Sequence, residues 1–531
     1  MKKPIFALLC LCSAPVCIQG STEDSLAIDI ETQGSFSNSN TPLWLNANKY
    51  GLSSLNASNG YLRGMASYGR TFGKVKMKAE ADVVLPVGYK LNGCETHYTQ
   101  KYIVHQAYLQ ADWKYGVLTI GAKEQPMELK NNELSSGSQT LGINSQPSPQ
   151  ERIGLNDYWP VPYSKGWLAF KGHAAFGVMM DADWQREAAK RSMYKYNRGT
   201  RYHEKSGYLR IGNEEKFPLS FTVGLEMAAQ FGGSVYSWTG TDENGWVGGN
   251  IRLEHGLKRH IQLGLGDIFF DFFGFGSDGD TGEDVYSNSE GNLLGSWVAR
   301  LNWKDENIEV GAYVDHFFED HSGLFFLDYD GYGSGSKWDD RVDSRYFRYD
   351  LKDALWGIDV KLKKFPYVNQ AVVEYINTRY QSGPIYHDHT QSVQTHIGGR
   401  DNYYNHAKLS GWQHWGQVIG NPLFTSPGYN TDGSIYVKNN RFNAWHFALA
   451  GNPVEGLHYR AKLTWEKGLG TYDKPYYTPR TTTSLLLEGT YSFPENSALG
   501  RLSMTLAYGQ DHGDLLGDNS GLQVTFKYKI K

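Results

Sequence analysis

The sequence predicts an all-β fold, a transmembrane antiparallel β-barrel of about 18 strands with long extracellular loops and at most a short helical element. Three observations lead to this prediction. Apolar and polar side chains alternate along the chain, and many alternating segments run to about 10 residues. The composition is polar on average, with a mean hydropathy of -0.52, and yet it contains 36 Tyr, 24 Phe and 15 Trp. Such amphipathic aromatics are typical of proteins at a boundary between water and an apolar medium.

The alternation has a period of two residues, which places the two sets of side chains on opposite faces of a sheet. In residues 73–85, Val75, Met77, Ala79, Ala81 and Val83 alternate with lysines and carboxylates. Residues 457–466 and 501–509 repeat the pattern, with Leu463 and Leu506 on the apolar faces. These segments therefore predict strands with one apolar and one polar face.

The last segment, residues 521–531, shows what the two faces would meet. Leu522, Val524, Phe526, Tyr528 and Ile530 alternate with Gln523, Thr525, Lys527 and Lys529. We expect the apolar face to contact lipid and the polar face to line a wet lumen. This strand is predicted to close the barrel against the first strand, near residues 25–34. Closure is needed because the backbone groups of an open sheet edge would have no hydrogen-bond partner in lipid.

A large soluble β-sandwich is the alternative for an alternating chain. Its strands are usually five or six residues long, whereas many here approach the length of a tilted membrane strand. Aromatic residues also gather near predicted strand ends, as in Trp297 with Trp303 and Phe526 with Tyr528. A membrane barrel has such aromatic girdles at both interfaces, so the pattern favours the barrel.

The first 20 residues predict a cleavable secretory signal peptide, with two lysines followed by an apolar stretch at 5–18. Residues 21–531 would then form one barrel domain in the outer membrane of a Gram-negative bacterium. Cys94 would be the single cysteine of the mature chain, which excludes an intramolecular disulfide. The formal charge of -4 gives no indication of nucleic-acid binding.

Long polar segments interrupt the predicted strands at residues 276–292, 329–345 and 381–408, and residues 131–157 also have a loop-like composition. A helix is predicted only at residues 181–194, where good helix formers are concentrated.

Four features of the sequence contain residue types found in catalytic or metal sites, and none has a specific pattern. His387, Asp388 and His389 lack a convergent ligand spacing, and the acidic residues at 278–284 lack the calcium-loop pattern. No GxSxG context marks a nucleophile, and the Gly-rich residues 274–282 lack the P-loop ending. We therefore expect no enzymatic activity, no cofactor and no bound metal.

Two stretches combine aromatic rings with groups that bond hydroxyls. The first, HFFEDHSG, covers residues 316–323, and the second, GWQHWGQVIGNPLF, covers residues 411–424. Aromatic faces stack on sugar rings, while carboxylates, amides and imidazoles bond sugar hydroxyls. The candidate glycan-binding residues are Trp412, His414, Trp415, Gln417, His316, Glu319 and Asp320. The alternative interpretation is that these residues brace the barrel or form its aromatic girdle.

These two stretches, together with DLKDALWGIDV at 350–360 and NSQPSP at 144–149, resemble the outer-membrane capsule-assembly proteins of the Wzi family. The resemblance covers essentially the mature chain. It differs at Ala354, where the family pattern has Gly, and residues 181–194 are the one candidate for the family's periplasmic helical element. It implies a lectin-like barrel that helps to hold capsular or other surface polysaccharide at the cell surface. The implied partners are this polysaccharide, outer-membrane lipid and the capsule export machinery.

The sequence therefore predicts a polysaccharide-binding barrel and leaves two alternatives. The first is a carbohydrate porin or polysaccharide exporter, since charged inward faces at 74–82 and 458–466 also suit a conducting lumen. The second is an outer-membrane hydrolase or acyltransferase, which would need a nucleophile with a base beside it.

Overall fold

The computed structural model describes residues 24–89, 101–192, 194–236, 251–252, 292–319, 330–332, 341–343, 353–381 and 401–530. The predicted signal peptide (residues 1–20), Cys94 and most of the predicted loops 276–292, 329–345 and 381–408 lie outside these ranges, as does the candidate residue Asp320.

Within the described residues, eighteen antiparallel strands form a single closed sheet. They are β1 Ser25–Ser37, β2 Ser58–Phe72, β3 Val75–Val87, β4 Ile103–Trp113, β5 Gly116–Ala122, β6 Gln150–Leu155, β7 Leu168–Val178, β8 Arg201–Ile211, β9 Leu219–Phe231, β10 Asn292–Lys304, β11 Ile308–Glu319, β12 Ala354–Leu362, β13 Gln370–Asn377, β14 Phe442–Val454, β15 Leu457–Gly470, β16 Pro475–Ser492, β17 Leu502–Gly513 and β18 Asn519–Lys529. Trp159–Pro160 extends β6 along β7.

The barrel closes between its first and last strands, as the sequence predicts. β1 pairs with β18 from Asp29↔Lys529 to Ser37↔Gly521, and β1 also pairs with β2. Turns as short as 73–74 and 455–456 lie at one end of the barrel, together with the start of β1 and the end of β18. Bacterial barrels place short turns in the periplasm, so the longer connections lie on the extracellular side.

The two faces of the strands separate as expected. Leu506 and Leu522 point outward and are half exposed, whereas their neighbours Ala507 and Gln523 are buried inside the barrel. Lys527 also points inward, and its Nζ lies 3.3 Å from a carboxylate oxygen of Asp29 on β1. The outer face is therefore apolar and suited to lipid, while charges on the inner face are paired across strands.

Three connections fold back into the lumen instead of leaving the barrel. Residues 38–57, 123–149 and 401–441 fill much of the described interior, and many of their side chains are buried. They carry the short helix α1 (Leu43–Asn46) and the 3-10 turn Pro427–Tyr429. An apolar cluster forms where they meet the inner wall, and it includes Trp44, Tyr403, Tyr404, Trp412, Phe317, Phe424 and Phe442.

Each of these inner segments donates a hydrogen bond from a backbone N–H group to a carboxylate of the barrel wall. Asp511 on β17 accepts a hydrogen bond from Leu43 N at 3.0 Å, and Glu374 on β13 accepts one from Ser136 N at 2.8 Å. Glu319 on β11 accepts one from Tyr404 N at 2.5 Å. Irregular backbone at membrane depth requires such partners, because water does not reach it freely.

Two expectations from the sequence change. Residues 131–157 are not all loop, because Gln150–Leu155 forms β6, which pairs with β5 and β7. Only six residues form that strand, so its alternation is too short to stand out from the surrounding polar segment. The predicted helix is confirmed as α2 (Ala182–Ser192), but it joins β7 to β8 on the extracellular side and is not a periplasmic element.

Within the described residues, no helix has the length and apolar character needed to cross a bilayer.

A pair of neighbouring substitutions tests the assignment of faces. We expect Leu506→Arg to destabilise the barrel by about 2–4 kcal/mol, because it places a charge in the lipid near mid-strand. Thr505→Arg should have a mild effect, since Thr505 faces the lumen and bonds Thr490 at 2.8 Å. Urea unfolding in lipid vesicles, followed by heat-modifiable electrophoretic mobility, measures both. Equal effects of the two substitutions would contradict this register.

Candidate functional site

The conspicuous part of the site is a tight hairpin built from the motif GWQHWG. Gln413–His414 pairs with Gln417–Val418, and the turn residues Trp415 and Gly416 have φ of 55° and 79°. Positive φ at both central residues is the geometry of a type I′ turn, which is strained for a bulky side chain. A side chain at position 416 would collide with Trp184, because a Cβ there would lie 2.3 Å from a ring carbon of Trp184.

Helix α2 holds this hairpin through the residue that precedes it. Asp181 is fully buried, and one of its oxygens accepts hydrogen bonds from Gln413 Nε2 at 3.1 Å and Trp415 N at 3.2 Å. The other oxygen accepts one from Gln185 Nε2 at 2.9 Å. Sequence analysis missed Asp181 and Trp184 as parts of the site. An Asp at the first position of a predicted helix is a familiar capping signal, but it does not indicate which loop the carboxylate will bind.

Trp412 and His414 face the interior of the inner segments. Trp412 is 1% exposed and donates from its indole Nε1 to Thr140 O at 3.0 Å. His414 is equally buried, with Nδ1 2.9 Å from Gln146 O, and Nε2 accepts a hydrogen bond from Met180 N at 3.3 Å. The ring is therefore neutral, with its proton on Nδ1.

A cleft of about 70 Å³ opens beside the hairpin at the extracellular side of the inner segments. Two indoles form part of its wall, and the other lining groups are mostly polar. The lining residues include Ser53, Ser54, Trp184, Arg191, Trp415 and Gln417. Trp415 is 8% exposed and Gln417 is partly exposed, so both side chains border this space.

The other predicted motif lies apart from the cleft, at the end of β11. His316 is buried, and its Nδ1 lies 2.7 Å from Asp353 O. Glu319 is also buried and accepts the bond from Tyr404 N described above. The backbone of Tyr404 joins the two motifs, because its carbonyl accepts a hydrogen bond from Trp412 N at 2.9 Å.

The structure therefore divides the predicted residues into two groups. His414, Trp415 and Gln417 line the cleft, whereas Trp412, His316 and Glu319 hold the inner segments against one another and against the wall. Direct contact of this second group with a glycan stays a prediction.

A second cavity, of about 270 Å³, lies inside the barrel along β4 to β9. It is lined mainly by charged and polar side chains, and most of the charges are paired within it. Arg152 bonds Glu204, and Lys171 Nζ lies 2.8 Å from a carboxylate oxygen of Glu128. Four of its charged groups are thus neutralised in pairs, and the polar lining is suited to water.

Asp82, His105 and Glu124 are the described residues whose ligand atoms come close enough to consider a metal, within 4.8 Å of one another. Arg63 already occupies this group, with its Nε 2.9 Å from one Asp82 oxygen and its Nη2 3.2 Å from Glu124 Oε1. A metal ion would have to displace this guanidinium, so the arrangement is better suited to an ion network than to a metal centre.

Comparison with known proteins agrees with this architecture. No protein-family model matches the chain, and no curated protein matches it in sequence. Among solved structures, the chain is similar to Wzi of Escherichia coli, an outer-membrane protein involved in group 1 capsule assembly and a carbohydrate-binding β-barrel. That match has a TM-score of 0.51 and 10% identity, and it covers 94% of this chain and 83% of Wzi. The likeness is one of fold.

Other solved barrels align over nearly the whole chain with lower scores. OprD of Pseudomonas aeruginosa has a TM-score of 0.45 and 8% identity, over 96% of this chain and 95% of OprD. OmpT of Vibrio cholerae, an outer-membrane protein, has a TM-score of 0.34 and 7% identity, over 96% of this chain and 100% of the OmpT chain. The closed antiparallel sheet and the match to Wzi give the chain an outer-membrane β-barrel fold.

Acid pH should loosen the hairpin. Burial lowers the pKa of His414, which lies outside the membrane-spanning strands, although Asp181 and the Gln146 carbonyl oppose this shift. The neutral ring therefore contributes stability above the unfolded pKa of about 6.5, and this contribution is lost as the pH falls below it. Hydrogen exchange of residues 413–418, corrected for intrinsic rates, should show more opening at pH 5 than at pH 7.5. In the His414→Gln variant, the corrected exchange of these residues should be the same at both pH values. If the difference between pH 5 and pH 7.5 persisted in that variant, another titrating group would be its cause.

Proposed function

We propose that the protein is a non-enzymatic outer-membrane barrel that binds exported surface polysaccharide, of the capsular class, and helps to retain it at the cell surface. The observation that carries this proposal is the aromatic and polar cleft at the extracellular side of residues 38–57, 123–149 and 401–441, which fill much of the described lumen. Such a cleft presents a ligand surface without offering a wide passage.

The chemistry of the cleft suits a sugar. The indoles of Trp184 and Trp415 contribute apolar surface to the wall, while Gln417, Ser53 and Ser54 provide groups that donate to and accept from hydroxyls. Arg191 adds a cation at the rim, where its Nη2 already donates to Thr431 O at 2.8 Å. A small number of polar groups converging beside aromatic rings is the usual construction of a ligand site.

The cleft is too small for a polymer, so we infer that it takes one protruding residue of the polysaccharide. Trp415 and Gln417 would contact the sugar, with Trp412, His414, His316 and Glu319 fixing the hairpin and the segment around Tyr404. The capsule-assembly role of Wzi, which shares the fold, supports a capsular ligand. Outer-membrane lipid and the capsule export machinery remain the proposed partners, and neither nucleic acid nor a cofactor has a role in it.

A carbohydrate porin or exporter is the principal alternative, and conductance separates it from the proposal. We expect the purified barrel to be nearly silent in planar bilayers, because residues 38–57, 123–149 and 401–441 occupy the lumen. Glu374→Ala should show intermittent openings, since Ser135 Oγ, Ser136 N and Tyr313 OH all donate to that carboxylate at 2.6–2.8 Å. Glu306→Ala, at an exposed periplasmic turn, is the control. Stable open channels in the unsubstituted protein would favour the porin.

A hydrolase or acyltransferase needs a nucleophile activated by a base. Ser148 Oγ lies 3.3 Å from His414 Nδ1, which is the nearest approach to such a pair in the described cleft region. That nitrogen carries the proton bonded to Gln146 O, and Nε2 is occupied by Met180 N, so the imidazole has no free lone pair to accept a serine proton. Ser148 and His414 are therefore not an activated nucleophile and base.

Substitutions in the cleft should weaken retention of polysaccharide without loss of the barrel. Trp415→Ala removes a stacking face worth about 0.5–1.5 kcal/mol, so affinity should fall several-fold. Arg191→Ala should also weaken binding, whereas Lys190→Ala, which removes the same charge one residue earlier in α2, should not. Each variant replaces the chromosomal gene, and cell-bound and released polysaccharide are measured.

Heat-modifiable mobility of each variant monitors folding, because Trp415 also packs against Trp184. Wild-type retention by both Trp415→Ala and Arg191→Ala would place the binding site elsewhere. Equal losses in Arg191→Ala and Lys190→Ala would indicate general electrostatics and not the cleft.

A further inference from the structure

A row of aromatic side chains marks the extracellular interface on one side of the barrel. Trp356 pairs in register with Tyr375, Tyr375 with Trp445, and Trp445 with Trp465, across the four neighbouring strands β12 to β15. Trp356, Trp445 and Trp465 are well exposed on the outer face, and the rings of Tyr375 and Trp445 are 4.8 Å apart. Aromatic belts of this kind lie at the level of the lipid headgroups.

Three cations follow this row toward the extracellular side. Lys467 comes two residues after Trp465, Arg379 comes four residues after Tyr375, and Arg441 comes four residues before Trp445. Lys467 lies within β15, and its even spacing from Trp465 places it on the outer face, about 7 Å along the strand from the aromatic row. Arg379 lies just beyond the end of β13 and Arg441 just before the start of β14, each about 13 Å along the chain from the row. Backbone bonds from Thr378 N to Phe442 O and from Leu469 N to Arg441 O continue the sheet to this level.

Neutral groups hold the two arginines in place. Arg441 Nε donates to Arg379 O at 3.1 Å, and Arg379 Nε donates to Asn377 Oδ1 at 2.7 Å. The guanidinium of Arg441 lies 4.5 Å from the ring centre of Tyr472, and that of Arg379 lies 5.8 Å from Tyr380. The side chains are therefore oriented without losing their positive charge to a partner.

Among the described residues, no carboxylate lies within ion-pairing distance of Arg379, Arg441 or Lys467, whereas most lumen cations are paired. The buried carboxylate of Asp353 interacts electrostatically with Arg379, but it accepts its hydrogen bonds from Tyr380 N, Gln381 N and the Asn377 amide. Asp473 is exposed in the next hairpin beside Lys474. The outer rim thus presents a concentrated positive charge.

We propose that Arg379, Arg441 and Lys467 form a binding site for the phosphate groups of an anionic lipid in the outer leaflet. Guanidinium groups bind phosphate through parallel hydrogen bonds, and a cluster of basic residues beside a lipid surface attracts anionic headgroups. The aromatic row beneath the cations continues into the apolar outer face, where acyl chains of the same lipid would lie. This continuity favours a lipid over a soluble anion, and the site is independent of the cleft.

Binding of lipid A to the purified full-length barrel in nonionic detergent tests this site. Each basic residue near a membrane surface contributes about fivefold to affinity, so the triple variant R379Q/R441Q/K467Q should bind lipid A on the order of 100-fold more weakly. The control K216Q/K361Q/K364Q removes three exposed lysines from the periplasmic side and should stay within about twofold of the unsubstituted protein. Heat-modifiable mobility verifies that both variants are folded.

Two further probes identify the source of the phosphate. Lipid A stripped of its phosphates should bind all three proteins weakly and equally, and inorganic phosphate should compete only at far higher concentration. Unchanged lipid A affinity in the triple variant would overturn the proposal, as would inorganic phosphate binding as tightly as the lipid. If the triple variant lost binding to the acidic polysaccharide alginate and kept lipid A, the rim would serve a glycan and the lipid site would be rejected.

Discussion

The structure depends on one constraint, that every backbone polar group at membrane depth needs a partner inside the protein. The closed sheet meets this need for the strands, but residues 38–57, 123–149 and 401–441 enter the lumen without regular structure. In these segments, backbone N–H groups find their partners in the barrel wall, where they donate hydrogen bonds to Asp511, Glu374 and Glu319. Carboxylates are effective in this role because each offers two oxygens, and charge-assisted bonds are stronger than neutral ones.

The candidate site follows from the way the segments are held. The carbonyl of Tyr404 accepts a hydrogen bond from Trp412 N, and the N–H of Tyr404 donates one to Glu319. This one residue therefore fixes the hairpin relative to β11. Asp181 fixes the other side of that hairpin through Trp415 and Gln413. The strained turn at Trp415 is therefore set by contacts from both sides, and this leaves the indole at the edge of the cleft.

The partners of the arginines differ between the inner face and the outer rim of the barrel. Inside, Arg63, Arg300 and Arg460 each bond a carboxylate, since an unpaired buried charge would be costly. Outside, Arg379 and Arg441 rest on tyrosine rings and amide oxygens and keep their charge for the surroundings. The difference reflects the solvents, because the rim meets water and anionic headgroups and the lumen meets packed protein.

The sequence by itself determined the membrane-spanning part of this protein. Period-two alternation places Leu506 and Thr505 on opposite faces whatever the neighbouring strands are, and it located β18 with its apolar and lysine-bearing faces. It also located the motifs around Glu319 and Trp412. Only the tertiary structure decided that residues 123–149 fill the lumen, since irregular segments have no periodicity and a buried polar loop has the composition of an exposed one. It also decided the cleft and the cationic rim, because contacts such as Asp181 with Trp415, or the row from Trp356 to Trp465, depend on long-range register.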